Sequence, residues 1–368
     1  MMARLWRRLR SSSAGAPRFL PLLALLAVCL PAVQPLLSGE ISCGYDNAFH
    51  LYRAVQIDHL WSQGVLYSRW APDMAHGLGF PLFAFGPPLS QALLALVHQF
   101  GVSWPAAMNL VFLAGVVLGG AGMYQLAKRL YGGLAGDGRG LGFAAGAVAA
   151  VAYVYAPFWA YDLYNRGSLW GAFAWAFPPW VLLGLHRWSL DRDRRYLAIG
   201  VAAFAAMIMT HHLFAFLFAP VFALWVLIHG YQSRSWAVIG RGAWLGALGL
   251  GITAFFWMPA LLERPLIQTG RYLGTWVFDY HHNFLPLSHL AALPRRADPA
   301  LINDWPEKSL GMLPLLVGLL PALGWRRFSR QTRCQVGALW VLVAGLAGLT
   351  QPAALWVWDR VPLLSFLQ

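Results

Sequence analysis

Three residues early in the chain share a spacing that could put chemistry on one surface. In Cys43-Gly44-Tyr45-Asp46-Asn47-Ala48-Phe49-His50-Leu51-Tyr52-Arg53, a carboxylate, an imidazole and a guanidinium recur at helical intervals. At about 100° per residue, Asp46, His50 and Arg53 fall near 0°, 40° and −20° of one helix. Ala48, Phe49, Leu51, Tyr52 and Val55 fall on the opposite side, at about 140° to 300°. Two readings follow from that spacing. One is an amphipathic helix at a membrane surface with its polar face in water. The other is a site in which a carboxylate accepts a proton and a guanidinium grips an anion.

Further polar residues ask for an explanation. Tyr161-Asp162-Leu163-Tyr164-Asn165-Arg166-Gly167-Ser168 places Asp162 and Arg166 at i, i+4, which suits a local ion pair as well as a ligand contact. His211 and His212 interrupt an apolar stretch, and adjacent residues on a helix point about 100° apart, so one of them is expected to face a site. The other then serves as a helix-end cap or a packed ring. His281 and His282 carry a weaker signal. Arg69-Trp70-Ala71-Pro72-Asp73-Met74-Ala75-His76-Gly77-Leu78-Gly79-Phe80-Pro81 reads as a shaped loop. Asp46 with His211 or His212 could hold a divalent metal. Nucleotide hydrolysis, serine-hydrolase chemistry and zinc-protease chemistry lack their motifs: a glycine loop followed by Lys-Ser/Thr, Gly-x-Ser-x-Gly and His-Glu-x-x-His are all absent.

The elements that must position these groups are membrane helices. The chain is 59% hydrophobic and 11% charged, and its apolar runs are long and continuous rather than alternating. A net charge of +13 would suit nucleic acid, but the basic residues fall in short clusters between apolar runs, where they set orientation, so nucleic-acid binding is excluded. Three scattered cysteines make neither a disulfide framework nor a zinc site. A basic head, residues 1–18, leads into an apolar run at 19–37 with no Ala-x-Ala site after it, which predicts a retained first span.

The expected spans are 19–37, 105–127, 141–160, 169–187, 197–211, 212–230, 241–260, 310–324 and 335–355. The fold class is therefore all-α and polytopic, with about nine transmembrane helices and interfacial helices after the first. Residues 83–100 decide the topology. If they do not cross, 18 of the 27 Lys and Arg fall inside and 11 of the 14 acids fall outside. The positive-inside rule thus predicts a cytoplasmic N-terminus, an external loop at 38–104 containing a non-spanning helix, and a second external loop at 261–308. The latter holds Tyr280-His281-His282-Asn283 and Asn303-Asp304-Trp305-Pro306-Glu307-Lys308. The expected setting is a plasma membrane crossed many times. The ending Leu364-Ser365-Phe366-Leu367-Gln368, without a tail, is expected to belong to something longer.

An acid after the first span, the embedded Phe85-Gly86-Pro87-Pro88-Leu89 and the span ending in Ala127-Lys128-Arg129-Leu130-Tyr131-Gly132 resemble polytopic glycosyltransferases of the GT-C type. More closely, four stretches resemble the bacterial membrane proteins labelled "6-pyruvoyl-tetrahydropterin synthase-related domain", relatives of the YfhO-like family. They are Asp46-x-x-x-His50-Leu51-x-Arg53, Gly79-Phe80-Pro81-Leu82-Phe83, the run from Tyr153 through Pro157-Phe158 to Asp162-Leu163-Tyr164-x-Arg166-Gly167-Ser168, and Thr210-His211-His212. The order of these pieces spans nearly the whole chain.

The resemblance implies transfer of a sugar from a polyprenyl-phosphate carrier to a cell-envelope acceptor outside the bilayer. It gives Asp46 the role of catalytic base or ligand of a divalent cation such as Mg or Mn. His50, Arg53, Asp162, Arg166, His211 and His212 become the expected contacts to phosphate and sugar. Arg53 and Arg166 suit a departing lipid phosphate, because a guanidinium can hold two of its oxygens. Single displacement by this route inverts the anomeric carbon. A transporter or flippase of lipid-linked sugars, and a non-catalytic assembly protein, are the other classes that the composition allows.

Overall fold

A computed structural model describes residues 20–132, 139–268, 279–293 and 308–361. The basic head, the Asn303–Glu307 part of the second polar segment and the ending Leu364–Gln368 lie outside the described residues. Among the described residues every regular element is helical, with one isolated antiparallel bridge between Ala71 and Phe80.

The centre of the bundle is α5, Trp104–Gly132, preceded in the chain by α1 (Leu20–Val33), α2 (Asn47–Ser62), α3 (Leu82–Phe85) and α4 (Leu89–Gln99). At 1.5 Å per residue α5 is about 43 Å long, more than the hydrocarbon core of a bilayer. One stripe of it, through Met108, Phe112, Gly115 and Gly119, is buried against its neighbours. The following helix, α6 (Arg139–Val154), packs closely along α5. Beyond it come α7 (Pro157–Ala160), a π-helical turn over Tyr161–Arg166, α8 (Leu169–Ala174), α9 (Pro178–Asp191) and α10 (Arg194–Thr210). Then follow α11 (His212–Ser233), α12 (Trp236–Ile252), α13 (Ala254–Leu262), and, further on, α14 (Leu287–Leu290), α15 (Met312–Leu319), α16 (Arg330–Leu349) and α17 (Leu355–Arg360). Small residues let the helices approach as they do in membranes: a Cβ on Gly184 of α9 would lie 2.6 Å from the Gly200 Cα of α10.

Among the described residues four helices are long and apolar enough to cross a membrane: Trp104–Gly132, Gly142–Arg166, His212–Ser233 and Thr332–Leu349. A fifth candidate joins α12 and α13 across a 75° bend. The remaining expected spans are shorter or broken, and prolines account for much of this. Pro31 sits in α1 and Pro35 opens a 3₁₀ turn after it; Pro178-Pro179 start a new helix at α9; Pro321 follows α15 into another 3₁₀ stretch. Pro87-Pro88 similarly separate α3 from α4, which at 11 residues is about 16 Å long, half a bilayer core. The break at Thr210-His211-His212 divides α10 from α11.

The N-terminal turns of α2 are inverted relative to a helix of a water-soluble protein, whereas its later turns bury Ala54, Ile57 and Leu60. Asn47, His50, Arg53 and Gln56 are buried, while Phe49 and Tyr52 are exposed; Arg53 is 5% accessible and Tyr52 66%. A solvated polar face, the simplest reading of its spacing, is therefore not what the fold uses. The polar stripe faces α4 and α8, and the aromatic stripe faces outward, an arrangement stable where the surroundings are apolar.

Candidate functional site

Asp46 is the N-cap of α2, yet its carboxylate makes no capping bond to its own helix. It is taken instead by Arg166, whose Nε lies 2.9 Å from Asp46 Oδ2. The backbones are joined as well, with Asp46 N–H donating to the Arg166 carbonyl at 2.8 Å. This contact demands two glycines. A Cβ on Gly44 would meet the Gly167 nitrogen at 2.5 Å, and Gly167, at φ +70°, would drive a side chain into Asn47.

The partner segment owes its shape to the π-turn at Tyr161–Arg166, which Gly167 ends in the left-handed conformation. Ser168 then caps α8, its Oγ accepting from Gly171 N–H at 3.2 Å. The turn directs Asp162 inward, where its side chain is fully buried. Arg166 Nη1 stands 3.8 Å from Asp162 Oδ1, and neither oxygen of Asp162 has a hydrogen-bond partner. Gly171 is required here too, since a Cβ would run into Asp162 Oδ2. Lys308 adds a further positive charge within electrostatic range of Asp162 and Arg166.

Beside this carboxylate pair, Arg53 is held between two aromatic faces. Its guanidinium carbon is 3.6 Å from the Phe49 ring centre and 3.9 Å from that of Trp170. Nε and Nη1 are buried without a partner. Burial pushes the guanidinium down to about 9, with Asp46 opposing, so Arg53 remains a cation at neutral pH. His50 Nδ1 is 2.9 Å from Gln91 Nε2, and Trp170 Nε1 donates to Gln91 Oε1 at 2.9 Å. Burial, followed by the neighbouring charge of Arg53, holds His50 well below the usual imidazole range.

The fold thus brings Asp46, His50, Arg53, Asp162 and Arg166 into one cluster at the meeting of α2, α8 and the π-turn. His211 borders it, with its ring 6.2 Å from Trp170 and its Nδ1 accepting from Phe214 N–H at 3.3 Å as the cap of α11. His212 turns elsewhere, toward the Phe256 ring at 6.1 Å. Among the described residues no three His, Cys, Asp or Glu side chains are arranged to hold a metal. The Asp46 carboxylate is paired with Arg166 instead.

Gln91, Trp170 and Phe49 are neighbours of the cluster that spacing did not reveal. Gln91 carries a faint signal, a lone amide beside Ser90 inside an apolar run; Trp170 carries none, because only the fold brings it to Arg53.

Chemically, the cluster combines a carboxylate open to approach, with 28% of the Asp46 side chain accessible, and a desolvated cation with free N–H groups. That pairing can hold an anion against Arg53 while Asp46 accepts a proton. No family model, curated protein or solved structure matches the chain.

Proposed function

We propose that this protein is an integral-membrane glycosyltransferase that moves a sugar from a polyprenyl-phosphate carrier to an acceptor at the outer face of a cell membrane. The observation that carries the reading is the buried Arg53, clamped between Phe49 and Trp170 with two N–H positions unpartnered, next to the accessible Asp46–Arg166 pair. A buried guanidinium without its bonds is costly, and a phosphate oxygen is the ligand that suits it.

In this reading the carrier phosphate lies against Arg53 and Arg166, which stabilise the charge that grows on its oxygens as the glycosidic bond breaks. Arg166 exchanges one carboxylate partner for phosphate. Asp46, relieved of that contact, takes the proton of the attacking acceptor hydroxyl late in the step, and the anomeric centre inverts. The aromatic outer face of α2 supplies the setting for a lipid substrate. An apolar groove lined by Ile57, Leu60, Trp61, Leu66, Tyr67 and Phe83 continues along the same helix. The bundle is read as nine crossings with the N-terminus in the cytoplasm, the short α1, α9, α10 and α15 completing their crossings through broken or tilted segments.

A second reading, transport of a lipid-linked sugar, draws on the 75° break between α12 and α13, since discontinuous helices are common in transporters. One experiment separates the two. The chain, reconstituted in proteoliposomes with radiolabelled polyprenyl-phosphate sugars and a membrane-envelope fraction, should transfer label to acceptor. Asp46→Asn should slow that transfer by about 10²- to 10⁴-fold with the protein still folded. Undiminished transfer by the variant would remove Asp46 from the chemistry, and movement of intact carrier across the bilayer without transfer would favour the transporter.

A further inference from the structure

The hydrogen bonds around Gln91 determine more than the position of His50. An indole N–H only donates, so the Gln91 atom 2.9 Å from Trp170 Nε1 must be the amide oxygen. Ser90 Oγ, 3.1 Å from the same oxygen, donates to it as well. The other end of the amide is then the NH₂ group, and it is this group that lies 2.9 Å from His50 Nδ1. An NH₂ can only donate, so Nδ1 must offer its lone pair. The ring proton of neutral His50 consequently sits on Nε2.

Burial leaves this chain of bonds without competition. Gln91 and Ser90 have no accessible surface, and His50 has 2%. The charged and titratable groups that act electrostatically on the ring are Arg53, Arg166 and His211. An imidazolium would set a second cation beside Arg53 and an N–H against the Gln91 NH₂. Both effects oppose protonation.

We infer that Gln91 is a positioning residue that commits His50 to the neutral Nε2–H form, making His50 a hydrogen-bond donor to an anionic oxygen rather than a proton acceptor or an Nδ1 metal ligand. A neutral donor is what a phosphate site beside Arg53 needs, because it adds a bond without repelling the guanidinium. The identity of that oxygen as carrier phosphate rests on the proposed function. The tautomer rests on the geometry alone.

Nitrogen-15 NMR of the histidine-labelled chain in nanodiscs tests both parts, with the His50 signals assigned by their loss in His50→Gln. The expected spectrum has Nε2 protonated and Nδ1 bare from pH 5 to 8 with no titration, a range that spans the ordinary imidazole pKa. Gln91→Glu should present a carboxylate to Nδ1, protonate it, and raise the His50 titration by about 1–3 pH units into view. Gln91→Leu should give a mixture of tautomers, whereas a Gln91 that merely fills space would leave the wild-type pattern. A wild-type His50 protonated on Nδ1, or titrating near neutrality, overturns the inference. Added polyprenyl phosphate should shift the Nε2–H signal. An intact Nε2–H tautomer that ignores the added lipid upholds the role of Gln91 and overturns the carrier reading.

Discussion

Arg53 is a charged residue that the fold hides as thoroughly as it hides leucines. Stacked aromatic faces recover part of the lost hydration, but they do not replace the N–H bonds left open at Nε and Nη1. Arg53→Lys keeps the charge and loses the planar stack and the fork. Binding of a radiolabelled polyprenyl phosphate to the purified protein is expected to weaken about 10- to 100-fold, equivalent to about 1.5–3 kcal/mol for a charge-assisted bond. Unaltered binding by the lysine variant would take the phosphate away from this residue.

His50 makes a different prediction, on stability. Burial and Arg53 lower its pKa, so between the unfolded value near 6.5 and the depressed folded value the unfolded chain binds a proton that the folded chain refuses. Its contribution is complete above about pH 6.5 and is lost as pH falls through that window, at up to about 1.4 kcal/mol per pH unit. The Tm of the detergent-solubilised protein should drop on acidification from pH 7 to 5, and His50→Gln should flatten the drop. Equal slopes for the two proteins would show that His50 is protonated freely in the folded state.

At the scale of elements, the site exists because α2 and the π-turn touch backbone to backbone. Gly44 and Gly167 permit the approach, and the positive φ of Gly167 ends the turn. Gly167→Ala is expected to cost about 1–3 kcal/mol through the left-handed backbone alone, with the Asn47 collision in addition. It should also separate Asp46 from Arg166, so thermal stability and transfer should fall together. Full retention of both would mean that the two segments can slide past each other. The spacing of Asp46, His50 and Arg53 was legible as a helical face, and it said that the three share a side. Which side faces inward was not legible, because that depends on α4 and α8 from distant parts of the chain. Gln91 is 41 residues from His50, and Arg166 is 120 from Asp46.

For the whole molecule, the orientation expected from the charge distribution is tested at the segment after α4. If α4, at 11 residues and about half a bilayer core, stays at one surface, residues 101–104 lie on the same side as Asp46. Reporter fusions or cysteine labelling at 101–104 should report the outer face; a cytoplasmic signal there would make 83–100 a crossing and invert every later segment. The large apolar side chains left exposed, among them Phe49, Tyr52, Phe100, Trp236, Leu262 and Val341, are what lipid or detergent must cover.

Composition and hydropathy by themselves determined the helical class and the membrane-length apolar helices, since those depend only on local residue character and on run length. They also marked Asp46, Arg53, Asp162 and Arg166 as residues needing a reason, because charge is costly near apolar surroundings. Tertiary structure alone decided that Asp46, Asp162 and Arg166 meet, that Arg53 lies between Phe49 and Trp170, that His212 turns away toward Phe256, and that Gln91 lies against His50 Nδ1. It also broke or shortened several expected spans, in part at prolines whose effect a hydropathy window averages away. Contacts between residues more than a hundred positions apart carry no local pattern, because the chain connecting them is free to place them anywhere until the bundle packs.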